Sequence, residues 1–247
     1  MNVSAYLNRI GIKLVGRPDR SLLSLLQESH LLHVPFENLD ISLNVRLSLP
    51  ALFDKIVEQR RGGFCYELNG LFDWLLRECG FVTSRISARV RKADGSFGPE
   101  FDHLALLVHV DQPYLVDVGF GDSCRRPLPL SGEEAEDISG RYRVIFDEIA
   151  EGYALQKQTE GDWVTEYRFT TRPYKLQAFT SMCEYHQTSP ASTFTQKKMC
   201  TIATRDGRIT LTPNFLTITR DGKQQKLPVS SEQQFDEELQ HYFGIRL

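Results

Sequence analysis

The amino-acid sequence predicts an α+β protein in which a helical N-terminal part precedes a part built from short antiparallel strands. Two observations carry this prediction. Apolar residues recur at helical spacing up to about residue 80, whereas from about residue 81 short apolar runs alternate with turn signals. A run of helices followed by a run of strands is typical of the α+β class. The strand pattern fits either an antiparallel barrel or a sandwich.

The elements are expected in three stretches, residues 1–80, 81–190 and 191–247. Helical periodicity in the first stretch covers 21–26 and 49–60. Strands in the second stretch are expected at 83–91, 104–110, 114–118, 141–146, 153–159 and 163–170. The third stretch is expected to hold two or three strands, with hairpin turns at 205–207 and 220–222, and a final helix from about 231 to 242 with Gly244 as its stop.

Composition excludes several classes of partner. The chain of 247 residues has 29 basic and 32 acidic side chains, a net charge of −3, and no basic stripe, so nucleic acid is not expected. No apolar run approaches the roughly 20 residues that span a bilayer, and the N-terminus lacks the pattern of a secretory signal. The five cysteines lack metal-ligand spacing, so no metal is expected. We expect a cytoplasmic protein with free thiols.

A cysteine at the start of a predicted helix is the most informative residue of the first stretch. Cys65 follows two arginines and two glycines, and apolar residues recur after it as far as a helix stop at Gly80. We expect Cys65 in or just before the first helical turn, where the helix dipole and free N–H groups stabilise a thiolate. The glycines are expected to let the backbone turn tightly and approach a ligand. An inert, buried cysteine is the alternative for this segment alone.

A histidine and an aspartate on neighbouring strands supply the partners that a nucleophilic thiolate needs. His103 precedes the apolar run 104–110, and Asp117 lies near the end of the run 114–118. If the two strands form a hairpin, His103 lies level with the end of the second strand. Thiolate, imidazole base and orienting carboxylate then form a Cys–His–Asp arrangement. The other histidines are expected to be structural or surface residues: His30, His33, His109, His186 and His241.

The longer motifs around these residues resemble those of one enzyme family. The run RGGFCYELN at 61–69 is similar to the cysteine motif of the arylamine N-acetyltransferases, with phenylalanine where tryptophan is often found. Further similarities, in the family's order, are VPFENL at 34–39, the histidine at 103–104, LVDVGFGD at 115–122 and YHQTSPASTF at 185–194. The chain therefore resembles this family over nearly its whole length.

The resemblance implies a fold of three parts around a cysteine-protease-like catalytic core. These are an N-terminal helical bundle over 1–80 that carries Cys65, a central antiparallel β-barrel over 81–190 that carries His103 and Asp117, and a C-terminal α/β lid over 191–247. It also implies transfer of an acetyl group from acetyl-CoA, the acyl donor, to aromatic amines or hydrazines. The expected kinetics are ping-pong, through an acetyl-cysteine.

Other site residues follow from the same resemblance. An aromatic pocket wall is expected from Phe36, Phe64 and Phe120. CoA is expected near Gly119, Gly121 and Ser123, although the carboxylate of Asp122 disfavours an anion there, and near Thr217. Glu37 and Arg61 are expected to form a structural ion pair that fixes the N-terminal helices against the cysteine turn.

Two other functions are compatible with the same order of residues. Thiol hydrolases and transglutaminase-like enzymes also carry cysteine, histidine and aspartate in this order. The third reading is either an amide synthase, which closes an acyl chain onto an aromatic amine, or a non-catalytic homologue. The intact Cys65, His103 and Asp117 argue against a non-catalytic homologue. The length of the matched motifs favours acetyl transfer.

Overall fold

A computed structural model describes residues 1–13, 16–41 and 46–247. The helices in these residues are α1 (Val3–Arg9), α2 (Arg20–His33), α3 (Leu49–Phe53), α4 (Cys65–Glu78), α5 (Thr180–Thr188), α6 (Thr193–Gln196) and α7 (Glu232–Phe243). A π-helical turn, Asp54–Glu58, continues α3, and a 3₁₀ turn, Leu176–Phe179, precedes α5. The helices predicted over 21–26, 49–60 and 231–242 therefore correspond to α2, to α3 with its π turn, and to α7.

The strands form two antiparallel sheets. Their bounds are β1 (Phe36–Glu37), β2 (Val82–Val90), β3 (His103–His109), β4 (Pro113–Val116), β5 (Leu128–Pro129), β6 (Ala135–Asp137), β7 (Gly140–Asp147), β8 (Gly152–Thr159), β9 (Asp162–Phe169), β10 (Cys200–Thr204), β11 (Gly207–Leu211), β12 (Phe215–Arg220) and β13 (Lys223–Pro228). Each strand predicted between residues 83 and 170 is present within two residues of its expected start.

Helix α4 is the centre of the helical part. Its apolar residues Leu68, Leu71, Phe72 and Leu75 are fully buried. It packs against α3 on one side and against β2 and β3 on the other. Burying a side chain of this size contributes roughly 1.5–3 kcal/mol, so these contacts hold the helix firmly on the sheet. The packing fixes the start of α4 relative to the start of β3.

The larger sheet has eight strands in the order β5-β4-β3-β2-β9-β8-β7-β6. Strand β5, at one edge, also lies against β7, so the sheet curls into a nearly closed barrel. The hairpin β3–β4 pairs Leu106 with Val116. Asp117 therefore comes directly after the last residue of β4, at the end of the hairpin where β3 begins.

The smaller sheet has the order β1-β10-β11-β12-β13, and α7 packs against β10 and β11. Phe235, Leu239 and Phe243 of α7 join its apolar cluster. The N-terminal segment thus supplies a strand, β1, to a sheet otherwise formed after residue 199. The predicted α+β class is confirmed, and the three-part boundaries near residues 80 and 190 stay a prediction. Within the described ranges, no helix is long and apolar enough to cross a membrane.

Candidate active site

Cys65 is the first residue of α4, as the helical spacing predicts. Phe64 precedes it as the N-cap with an extended backbone, and the Phe64 N–H donates to Glu67 Oε2 at 3.0 Å. This bond from the third helical residue back to the N-cap fixes the entry into the helix. Cys65 is 3% exposed, yet it lines a cavity of about 970 Å³.

The two glycines before Cys65 allow close packing of the cysteine segment. A side chain on Gly62 would overlap the carbonyl oxygen of Pro35, and a Cβ on Gly63 would lie 2.7 Å from Glu67 Oε2. Neither glycine has a positive φ; the residue of this segment that does is Arg60, at φ 55°. The expectation that the glycines let the backbone approach a ligand stays a prediction. They let β1 and Glu67 come close to the cysteine segment.

His103 and Asp117 form the hydrogen-bonded pair that the hairpin predicts. His103 Nε2 lies 2.7 Å from Asp117 Oδ2, and both side chains are buried. Burial alone would lower the pKa of His103, but the Asp117 carboxylate, its hydrogen bond and a hydrogen bond with the Cys65 thiol outweigh it and raise the pKa to about 10. Because Nε2 faces Asp117, Nδ1 is the ring nitrogen left for Cys65. Because its pKa is raised to about 10, the imidazole is a cation at neutral pH.

The carboxylate of Asp117 accepts three further hydrogen bonds. Tyr167 Oη donates to Oδ2 at 3.0 Å, while Asn69 Nδ2 and the Gly119 N–H donate to Oδ1 at 2.8 and 2.9 Å. Burial by itself would raise the pKa of Asp117, but the His103 cation and these donors hold it below its usual value. Asp117 is thus a carboxylate with a saturated hydrogen-bond shell.

Sequence reasoning did not assign a role to Asn69 or Tyr167. Asn69 lies four residues after Cys65 and therefore on the same face of α4, a spacing that could have identified it. Its Nδ2 also donates to the Leu104 carbonyl, and its Oδ1 accepts from the Val118 N–H at 2.9 Å. Tyr167 lies on β9, and no local pattern relates it to Asp117.

Gly119 packs directly against the start of α4. A Cβ at this position would lie 2.7 Å from Asn69 Nδ2 and 2.7 Å from the Cα of Cys65. Only a residue without a side chain lets the turn after Asp117 come this close to the thiol. Gly119 therefore shapes the site by its lack of a side chain.

A buried ionic cluster lies behind the cysteine segment. Arg61 Nη2 is 3.0 Å from Glu37 Oε1 and 2.9 Å from Asp40 Oδ1, which gives the expected Glu37–Arg61 ion pair a third member. Lys55 Nζ lies 2.9 Å from Glu67 Oε1. Burial raises the pKa of Glu67 to about 7, against the opposing effect of Lys55. The cluster joins β1, the π turn and the first turn of α4.

An apolar cavity of about 970 Å³ opens beside Cys65 and His103. Of the predicted substrate and CoA residues, Phe36, Gly119 and Phe120 line it. Phe64 does not reach the wall; it is buried behind Phe194, with ring centroids 5.9 Å apart. An aromatic wall next to a thiol and an imidazole is suited to a flat apolar substrate.

The remaining CoA candidates lie away from this wall. Gly121 has a φ of +88° and faces Phe36, and Ser123 is buried. Thr217 is on β12, where it pairs with Lys226 of β13. These three assignments stay predictions, because none of the three residues lines the cavity.

A second histidine borders the same cavity, although a structural or surface role was expected for it. His186 Nε2 lies 3.3 Å from Asp102 Oδ1, and Nδ1 lies 3.1 Å from Ser192 Oγ. The ring packs edge-on against Phe194 at 5.0 Å. His186 thus links the residue before His103 to the segment that carries Phe194.

The described residues contain no group of three or more histidine, cysteine, aspartate or glutamate side chains arranged to hold a metal. Beside the cavity, the structure brings together a thiol, an imidazole and a carboxylate that is hydrogen-bonded to the imidazole. Such a set transfers acyl groups through a covalent thioester.

Comparison with known proteins supports this chemistry. The N-acetyltransferase family model matches residues 21–247. An arylamine N-acetyltransferase of Mycolicibacterium smegmatis is 35% identical over 257 residues, which cover 100% of this chain and 93% of that protein.

Solved structures show the same fold. The structure of Mycobacterium marinum arylamine N-acetyltransferase in complex with CoA superposes with a TM-score of 0.90 at 32% identity, covering 99% of this chain and 93% of that one. A Bacillus cereus arylamine N-acetyltransferase, described as having a Cys-His-Glu catalytic triad, superposes with a TM-score of 0.92 at 28% identity and 100% coverage of both chains. In the present chain, the carboxylate that pairs with His103 belongs to an aspartate, Asp117.

Proposed function

The chain belongs to the arylamine N-acetyltransferase family, and we propose from this premise that it transfers an acetyl group from acetyl-CoA to arylamines or arylhydrazines through acetyl-Cys65. One observation carries the proposal. Cys65 and His103 line the same apolar cavity, Asp117 Oδ2 lies 2.7 Å from the His103 imidazole, and both Asp117 and Cys65 raise the pKa of that ring. This is the arrangement that a thiol acyltransferase needs.

In the first half-reaction, the Cys65 thiolate attacks the thioester carbonyl of acetyl-CoA. Asp117 holds the protonated His103 ring so that it faces the sulfur, and His103 gives its proton to the CoA thiolate as this leaves. As the first residue of α4, Cys65 has an N–H without an intrahelical acceptor, which makes it a donor to the oxyanion that forms on the carbonyl. The products are acetyl-Cys65 and CoA.

In the second half-reaction, an aromatic amine attacks acetyl-Cys65. The neutral His103 accepts the proton of the amine, and the Cys65 thiolate leaves. Aromatic amines suit the site because they are uncharged and nucleophilic at neutral pH, and because Phe36 and Phe120 line the cavity. The exchange of one thioester for another has a free-energy change near zero. Formation of the amide therefore supplies the driving force for the overall reaction.

The proposed compartment is the cytoplasm. All five cysteines are free thiols, and a catalytic thiol persists in a reducing environment. The partners are the small aromatic amine and CoA, with no nucleic acid or membrane required.

Mass spectrometry of the intact protein tests the proposal. Acetyl-CoA alone should add one acetyl group, located on the peptide that carries Cys65, and an aniline should then remove it as the acetanilide. Cys65→Ser is the matched control and should gain no acetyl group. Intersecting initial-rate lines without an acetyl-enzyme would exclude the double-displacement scheme. Rapid loss of the acetyl group to water, with no acetanilide formed, would favour a thiol hydrolase.

A further inference from the structure

The start of β3, which carries His103, lies at the end of its regular pairing in the sheet. The ladder with β2 reaches the first residue of the strand, since His103 pairs with Ala88. The ladder with β4 begins three residues later, at Leu106. Among the described strands, His103 therefore has a ladder partner on one side, at a position where strands tend to fray. Contacts from outside the sheet are needed to hold the imidazole against Cys65.

The backbone is strained two residues before His103. Phe101 has a φ of 66°, in the left-handed region that a bulky side chain rarely adopts. Its ring packs edge-on against Tyr174 and Phe179, with ring centroids 4.9 and 5.2 Å apart. A conformation of this kind persists only where the surrounding structure imposes it. The direction in which the chain enters β3 therefore depends on what holds Phe101.

Two side-chain hydroxyl groups hold the backbone of Phe101. Tyr66 Oη donates to the Phe101 carbonyl at 2.7 Å and shares its proton with the Asp102 carbonyl at 3.1 Å. The Phe101 N–H donates to Ser87 Oγ at 2.7 Å, and Ser87 lies on the neighbouring strand β2. Both backbone polar groups of Phe101 are thus bonded to side chains of other elements, which fixes the left-handed turn.

Tyr66 connects this turn to the thiol. It follows Cys65 directly, as the second residue of α4, and is fully buried. Its ring packs edge-on against Phe64 at 5.2 Å and lies 5.9 Å from the ring of Phe179. Burial raises the pKa of Tyr66, so the hydroxyl stays protonated and remains a donor. Tyr66 therefore joins the helix turn that carries the thiol to the backbone turn that precedes the imidazole.

Tyr66 and Asn69 hold His103 from opposite sides along the chain. Asn69 donates to the carbonyl of Leu104, the residue after His103, whereas Tyr66 donates to the two carbonyls before it. Apolar packing of α4 on the sheet is non-directional, so it does not by itself set the position of β3 along the helix. Hydrogen bonds on both sides of His103 supply that direction.

We propose that Tyr66 is a positioning residue whose hydroxyl holds the left-handed turn at Phe101 and thereby places the His103 imidazole against Cys65. Its consequence for acetyl transfer rests on the proposed function, whereas the alignment of thiol and imidazole is measurable without acetyl-CoA. Without the hydroxyl, the carbonyls of Phe101 and Asp102 lose their donor, and Phe101 is free to relax to a negative φ. The start of β3 then shifts, and a displacement of about 1 Å in a catalytic site can lower the rate about a hundredfold.

Tyr66→Phe removes only the hydroxyl, and alkylation of Cys65 by iodoacetamide reports the alignment. The midpoint of the pH dependence of alkylation should rise by at least about one unit, towards that of an ordinary thiol, because the misplaced imidazolium stabilises the thiolate less. Alkylation at pH 6 should slow at least about threefold, since the greater nucleophilicity of a more basic thiolate offsets part of the tenfold loss of thiolate. Ser87→Ala should shift the profile in the same direction, and Ser87→Thr, which keeps the hydroxyl, should restore it.

Steady-state kinetics with acetyl-CoA and an aniline give a second readout. Tyr66→Phe should lower kcat and kcat/KM by a similar factor of at least about ten, with KM near its wild-type value. This division is expected because the hydroxyl bonds the backbone before His103 and acts on the chemical step through the imidazole. A loss confined to KM would instead place Tyr66 in substrate binding and would overturn the proposal.

Tyr142→Phe is the matched control. Tyr142 is also fully buried, its Oη donates to the Ser139 carbonyl at 3.0 Å, and its strand β7 is not a neighbour of β3 in the sheet. Urea denaturation should show a similar loss of stability in both variants, while Tyr142→Phe keeps the wild-type alkylation profile and kcat. A Tyr66→Phe variant that is destabilised like Tyr142→Phe but has the wild-type alkylation profile would overturn the proposal. Because alkylation uses no acetyl-CoA, this outcome is distinct from a failure of the proposed acetyl transfer.

Discussion

Asn69 donates its side-chain amide to Asp117 Oδ1 at 2.8 Å, so the helix that begins at Cys65 is bonded directly to the carboxylate that orients His103. The same amide bonds the Leu104 carbonyl, next to His103, and its oxygen accepts from the Val118 N–H. One side chain therefore fixes the three segments that carry the thiol, the imidazole and the carboxylate. We infer that Asn69 is a positioning residue.

Replacing Asn69 tests this role. Asn69→Ala leaves the buried Val118 N–H and the Leu104 carbonyl without their side-chain partners, which should lower the free energy of unfolding by about 1–3 kcal/mol. The alkylation rate of Cys65 at neutral pH should fall as well, because the triad is less well aligned. Asn69→Asp should be more damaging, since it places a second carboxylate beside Asp117. Chemical denaturation and iodoacetamide kinetics measure the two effects. A normal alkylation rate in folded Asn69→Ala would limit Asn69 to a structural role.

Cys65 should be the reactive thiol of the chain. Cys65→Ser should keep the fold and lower acetyl transfer by at least about a thousandfold, because a serine hydroxyl stays protonated at neutral pH. Iodoacetamide should label Cys65 of the native protein much faster than the other four thiols. Their pKa is raised by burial, in Cys79, Cys124, Cys183 and Cys200. Peptide mapping after timed labelling measures the rates, and similar rates at all five positions would contradict an activated thiol.

Turnover should depend more on the charge of Asp117 than on the shape of its side chain. Asp117→Asn keeps the volume but removes the charge that stabilises protonated His103, and its amide can present a donor where an acceptor is needed. Turnover should fall by at least about a hundredfold, judging from serine triads, and alkylation of Cys65 at neutral pH should slow. Asp122→Asn is the control, since this exposed carboxylate faces Lys157 and Arg208 rather than His103. Near-normal turnover in Asp117→Asn would exclude Asp117 as the orienting carboxylate.

The His103–Asp117 pair should give stability a defined pH dependence. Since the folded pKa of His103 is about 10, above the usual value of about 6.5, its contribution is complete below pH 6.5 and is lost as pH rises towards 10. The pKa of Asp117 is lowered on folding, so its contribution is complete above about pH 4 and is lost in acid. The stability difference between wild type and His103→Gln should therefore be largest between about pH 4 and 6.5. Urea denaturation at several pH values measures it, and a difference that stays constant up to pH 10 would contradict the pairing.

Local sequence patterns predicted the elements that carry the site. The helical spacing after Cys65 placed it at the start of α4, and the alternation of apolar runs with turns placed the strands. Both predictions depend on interactions within a few residues of the chain, which periodicity and turn residues record directly. The hairpin also predicted the pairing of His103 with Asp117, because the turn between β3 and β4 is short.

Local sequence patterns did not predict the role of the glycines or the shape of the cavity. Gly62 and Gly63 are needed because Pro35 and Glu67 press against them, a contact that no local pattern describes. Phe64 was expected in the cavity wall, but Phe194, from a distant segment, lies in front of it. A pattern of apolar residues shows which side chains are buried, and packing between distant segments decides which of them face a cavity.

The sequence by itself determined the order of helices and strands, the position of the thiol at a helix start and the histidine and aspartate that accompany it. Only the tertiary structure decided what holds and surrounds them. Tyr167 reaches Asp117 from 50 residues away, and Asn38 fixes the Lys197 segment from 159 residues away. These bonds form only after the sheets and helices have packed together. Their energy depends on the distance between segments in space, which local periodicity does not encode.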